Sequence, residues 1–160
     1  PRAELMRKGT VWKEIEENRK RMLEVCPQVD FYISATVGLS NALHVVDFHR
    51  DWVEKGFIKP QDFNFNLLQY PIWQRMDLLP QNEKDKVTAK YKEHIEWLKG
   101  KDHLTRATKG FESALDWMNK KDMTRQLPTF VGETRKYDKI RDENFTDVFP
   151  EWKDLFAQYE

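Results

Sequence analysis

Apolar and polar residues change their spacing twice along this chain. Ile15, Met22 and Cys26 recur on one helical stripe, with Asn18 inside it, which predicts a helix over about Val11 to Cys26. Thr10 is placed to cap it. Glu14, Glu16 and Glu17 come early and Arg19, Lys20 and Arg21 late, which suits the helix dipole; Pro27 stops it. The period then drops to two. Asp30 to Val37 and Phe63 to Tyr70 read as strands, the second ended by Pro71. Between them Asn41 to Lys55 reads as a helix ended by Gly56. A strand, helix and strand in that order predict a right-handed crossover between parallel strands.

After Pro80 the period is helical throughout. Val87, Tyr91, Ile95 and Leu98 form one stripe with His94 beside it, closed by Gly100. Ala107, Phe111, Ala114, Leu115 and Met118 form another, and further helices are expected at about Thr129 to Ile140 and Glu151 to Tyr159. The expected division is residues 1–79 and 80–160, with Pro71 to Pro80 as the only hinge. No internal repeat or low-complexity tract is present.

The two strands are unusual for a parallel pair. Such strands are normally apolar on both faces. Here Tyr32, Ser34 and Thr36 oppose Phe31, Ile33, Ala35 and Val37, and Asn64 and Asn66 oppose Phe63, Phe65 and Leu67. The polar face fits either the lumen of a barrel or half-barrel holding a polar ligand, or a small sheet with one wet face. In the first case the site lies at the C-terminal strand ends, Thr36 to Asn41 and Gln69 to Ile72. Two strands alone make a poor sheet, so further strands are expected from elsewhere. Pro1 in first place fits a segment cut from a longer chain.

Composition narrows the function. The 160 residues suffice for one real core. Lys+Arg and Asp+Glu both number 27, so charge gives no case for nucleic acid or an anionic membrane. No apolar run approaches the ~20 residues of a membrane span, and no signal-peptide pattern appears. A lone cysteine, Cys26, rules out an internal disulfide; a cytoplasmic setting is expected. His44, Asp47 and His49 look like metal ligands, yet His49 falls about 140° from His44 around a helix, so the three do not converge. His94 and His103 have no evident companion. There is no H-E-x-x-H, P-loop, G-x-G-x-x-G or nucleophile elbow, so no catalytic or metal-binding residue is assigned.

The segments VDFYISATVGLSNALHVVDFHRDWVEKGFI and DFNFNLLQYP resemble the last strands of the partial barrel in radical S-adenosylmethionine (SAM) proteins with a C-terminal twitch domain. RKGTVWKEIEENRKRML resembles the helix entering those strands, and LTRATKGFESALDWM and YDKIRDENFTDVFPEW resemble the tail. The resemblance implies an α/β fold: the last parallel strands and helices of a partial (β/α) barrel, then a mainly helical C-terminal region that caps it. In that family three cysteines in C-x3-C-x2-C hold a four-iron cluster whose fourth iron binds SAM, and reductive cleavage yields a 5′-deoxyadenosyl radical. This sequence lacks that motif and the cysteines for an auxiliary cluster. The implied partner is a cluster-binding N-terminal half, without which the chain binds neither group and is inactive. The resemblance places Tyr32, Ser34, Thr36, Asn64 and Asn66 in the SAM and substrate cavity, with Asn41 and Tyr70 at the strand ends. Thr36 and Asn41 would meet the ribose or methionine part, and Tyr70 the adenine. It names no substrate. The competing expectation is a stand-alone, non-catalytic module docking through exposed Trp152, Phe156 and Tyr159.

Overall fold

A computed structural model describes residues 2–159. The elements are α1 (Arg2–Met6), α2 (Trp12–Val25), β1 (Ile33–Val37), α3 (Val45–Glu54), β2 (Phe63–Leu67), α4 (Gln81–Leu98), α5 (Arg106–Lys120), α6 (Leu127–Arg141), α7 (Phe145–Val148) and α8 (Lys153–Ala157). The class is α/β, mainly helical, with a sheet of two parallel strands among the described residues. They form two compact units: Val29–Leu127, and the chain ends Pro1–Gln28 with Pro128–Glu160. The division expected at 79/80 therefore falls inside one unit, because α5 packs directly on β2.

In the unit of Val29–Leu127, β1 and β2 pair from Ile33↔Phe63 to Val37↔Leu67. Both strands are shorter than expected. Gly38 leaves the ladder, and its amide donates to Asn41 Oδ1 at 2.9 Å while Asn41 Nδ2 donates to the Thr36 carbonyl at 2.9 Å. Residues 39–44 then run in turns, with the His44 and Val45 amides donating to the Asn41 carbonyl, so α3 starts at Val45 rather than Asn41. Val45, Val46, His49 and Trp52 form the buried stripe of α3. Its end is a turn through Gly56 at φ +70°, where the Phe57 amide returns to the Trp52 carbonyl.

Val87, Tyr91, His94 and Leu98 are the buried stripe of α4; Ile95 lies at its margin. Ala107, Phe111, Ala114 and Met118 are that of α5. Phe111 meets Phe65 edge-on at 4.6 Å and Tyr91 at 5.0 Å, so α5 lies on the apolar face of the sheet and α4 packs on α5. Burying one such ring is worth about 1.5–3 kcal/mol. The segment expected to be a hinge is instead core. Met76, Leu78 and Leu79 are fully buried, and Asp77 is 1% exposed beneath a two-pronged bond from Arg75, whose guanidinium lies 4.6 Å over Trp117.

The second unit is helical. Phe130 and Val131 of α6 share its core with Phe145, Phe149, Trp152, Leu155 and Phe156. The Phe145 ring stacks on Phe149 at 4.7 Å and on Phe156 at 5.3 Å. Trp152 and Phe156, expected at the surface, are thus buried, and Tyr159 is half-buried. Asp138 accepts the Phe145 amide at 3.1 Å; burial raises its carboxyl above the usual range. The N-terminus of α2 is served differently from expectation: Val11 is its cap residue, and Glu4 rather than Thr10 accepts the Trp12 amide, at 3.0 Å. Of the predicted α2 stripe, Met22 and Cys26 are half-buried and Ile15 is exposed.

Candidate functional site

The strand register sets Ser34 beside Asn64 and Thr36 beside Asn66. These side chains alternate with the apolar ones that α5 covers, so all four share the opposite face with Tyr32. Ser34, Thr36, Asn66 and Tyr32 are exposed there, and Asn64 is half-buried. Asn66 Nδ2 donates across the strands to Ser34 Oγ at 2.6 Å. The face therefore gathers hydroxyls and carboxamides without any charge, a set that pairs with neutral hydrogen-bonding groups.

Two of the expected residues lie off this face. Asn41 sits in the turn after β1, and the bonds to Gly38 and Thr36 already engage both of its side-chain polar atoms. Its local work is to end the strand. Tyr70 follows β2 at a cis peptide to Pro71 and is 78% exposed, at the C-terminal rim beyond the strand.

The backbone around this face is open. Ile33 donates to the Asp62 carbonyl and Leu68 donates to that of Val37, both at 2.9 Å. In a parallel ladder those bonds assign Ile33, Ala35 and Val37 to the inner edge of β1. The main-chain groups of Ser34 and Thr36 point outward, as do those of Phe63, Phe65 and Leu67 on β2. No further strand pairs with either edge among the described residues. The Asn41 side chain occupies the outward Thr36 carbonyl, which blunts that end of the edge.

The chemistry-bearing side chains elsewhere do not converge on this face. His44 Nδ1 approaches Asp47 at 3.7 Å at the surface, and Asp47 in turn binds Lys90 at 2.6 Å. His49 points into the core, where His94 is its companion. Residue patterns did not reveal that pair, since the two rings lie on different helices. A shallow groove along α4 and α5, floored by Ile95 and Leu115, carries only carboxylates and Lys92 at its rim. Among the described residues no three His, Cys, Asp or Glu side chains are grouped to hold a metal, and no helix is long and apolar enough to cross a membrane. Scans of protein-family models, of characterised proteins and of solved structures each found no match to this chain.

Proposed function

We propose that this chain is the C-terminal portion of a radical SAM enzyme, supplying late strands of a partial barrel to a cavity completed by an upstream, cluster-binding half. The observation that carries the reading is the sheet itself. Two parallel strands joined through a helix bear a polar, uncharged face, and among the described residues no further strand pairs with either edge. Parallel strands are ordinarily covered on both faces and flanked by more strands. A barrel lumen supports polar side chains in that position, and neighbouring strands satisfy the edges.

The residues present fit one cofactor and not the other. Ser34, Thr36, Asn64 and Asn66 offer the neutral donors and acceptors that suit ribose hydroxyls and an amino-acid head group, with Tyr70 at the rim for a planar base. The chain's single cysteine, Cys26, is half-buried on α2's end and fits no cluster, whose thiolate ligands belong to the upstream half. When bound there, the cluster and SAM supply the radical; these residues hold and orient. The protein-interaction reading is weaker, because Trp152 and Phe156 are buried.

The deciding experiment reads the coding sequence upstream of the Pro1 codon. An in-frame C-x3-C-x2-C roughly one to two hundred residues upstream is expected, a distance set by ordinary domain sizes. An in-frame start near Pro1 without that motif overturns the proposal. Stoichiometric assembly of a four-iron cluster on these 160 residues alone would overturn it as well.

A further inference from the structure

The core of the sheet-bearing unit contains a histidine pair that the proposed site does not use. His49 of α3 and His94 of α4 are both 0% exposed, and His49 Nδ1 lies 2.9 Å from His94 Nε2. His49 Nε2 lies 3.0 Å from the Pro60 carbonyl. A carbonyl only accepts, so His49 Nε2 carries the hydrogen and its Nδ1 is a bare acceptor. His94 Nε2 must then be the donor between the rings. His94 Nδ1 is left as a buried lone pair with no hydrogen-bond partner. The walls are aromatic: Phe63 stacks on His49 at 4.3 Å, Trp97 on His94 at 5.0 Å, and Phe111 meets both.

This geometry can hold one extra proton and not two. With one, a single N–H still lies between the rings. With two, both facing nitrogens carry hydrogens and the bond becomes a repulsion between buried cations. We propose that the His49–His94 pair is a proton-sensitive pin that fastens α4 to α3 and β2 while at least one ring is neutral, and releases them when both are charged.

The neighbouring charges act oppositely on the two rings, and burial outweighs them on both. Asp102, on the turn between α4 and α5, favours charge on His49. Arg50 of α3, Lys90 of α4 and Lys101 of the same turn oppose it on His94. Tyr91, also on α4, stays protonated in the same core, since burial pushes its phenol up. Phe63 of β2 and Phe111 of α5 bring no charge. Burial dominates both rings and lowers His49 to about 4 and His94 to about 3. An unfolded imidazole titrates near 6.5. Between those values the open state binds more protons than the closed one, so the closed state loses stability as pH falls.

The test is amide exchange of α4 in the intact chain, corrected for the intrinsic pH dependence. From pH 6 to 5 the opening constant of the Tyr91 and His94 amides should rise about 50-fold, roughly sevenfold per proton. In His94→Phe the Tyr91 opening constant should rise only about sevenfold over the same step. Equal slopes in the two proteins, or a flat wild-type slope, overturn the pin. Should His94→Phe fail to fold, imidazole nitrogen shifts of the wild type decide. Both Nδ1 atoms unprotonated and both rings neutral at pH 5.5 support it; a ring titrating near 6.5, or an Nδ1–H form, overturns it.

Discussion

Gly110 offers a direct test of how α5 seats on the sheet. It lies mid-helix, where glycine is normally unfavourable by about 1 kcal/mol against alanine. A Cβ built there would stand 2.5 Å from Phe65 Cδ2, with two more ring atoms at 3.2 and 3.3 Å. Ordinary carbon contacts are about 3.5–4.0 Å, so helix and ring must part by about 1 Å. The ring cannot simply turn aside, because Phe65 is held edge-on by Phe111 at 4.6 Å and Phe63 at 5.6 Å. Overpacking of this kind costs about 1–3 kcal/mol. Gly132 provides the control. It is exposed on α6, and a Cβ there meets nothing within 4 Å. Gly132→Ala should therefore stabilise its unit by about 1 kcal/mol, the bare propensity gain. Gly110→Ala should lose most or all of that gain and end neutral to about 2 kcal/mol destabilised. Urea unfolding of the two variants, followed through each unit's amide exchange, measures both. If Gly110→Ala stabilises as much as Gly132→Ala, the close seat of α5 on Phe65 is wrong.

Three further outcomes follow from single contacts. Arg75→Met leaves the buried Asp77 carboxylate without its partner and should cost about 3–5 kcal/mol, whereas Arg75→Met with Asp77→Leu should recover much of that loss in a urea double-mutant cycle. Asn41→Ala removes two bonds to the backbone and should cost about 1–3 kcal/mol by the same assay. It also frees the outward Thr36 carbonyl, so light scattering should show increased self-association. Tyr91→Phe deletes the 2.8 Å bond to the Ala42 carbonyl and should cost about 1 kcal/mol, read as weaker exchange protection of α4.

The sequence made the period-based features legible and hid those that depend on contacts between elements. Alternation in Tyr32–Val37 and Phe63–Leu67 placed Ser34, Thr36, Asn64 and Asn66 on one face, and the structure sets them in register. The stripes of α4 and α5 were readable in outline, because burial on a helix repeats with its turn, although His94 is buried where Ile95 was expected and Leu115 is only half-buried. Strand ends were not. Asn41 reads as an available polar residue until its bonds to Gly38 and Thr36 are seen. The 71–80 segment reads as a hinge from its prolines, yet Met76 to Leu79 are buried by neighbours far along the chain. His94 looks solitary for the same reason, since its partner His49 is 45 residues away.

The polar face and the stabilising core are therefore separable, and that separation is itself testable. The histidine pair and the rings around it lie on the apolar side of the sheet, where His49 of α3 stacks on Phe63 and Phe111 of α5 meets Phe65. On the other face Asn66 donates to Ser34 across the strands, and both residues are exposed. Surface substitutions of that sort usually change stability by no more than about 0.5 kcal/mol. Alanine at Ser34, Thr36 and Asn66, made one at a time, should leave the chain's unfolding midpoint nearly unchanged. A loss beyond about 2 kcal/mol at any one would mark a buried or networked polar group instead. The face would then be structural, and the case for a ligand-lined cavity would lose its ground. Near-neutral values leave exposed polar side chains that contribute little to folding, the outcome the proposed ligand-lined face predicts.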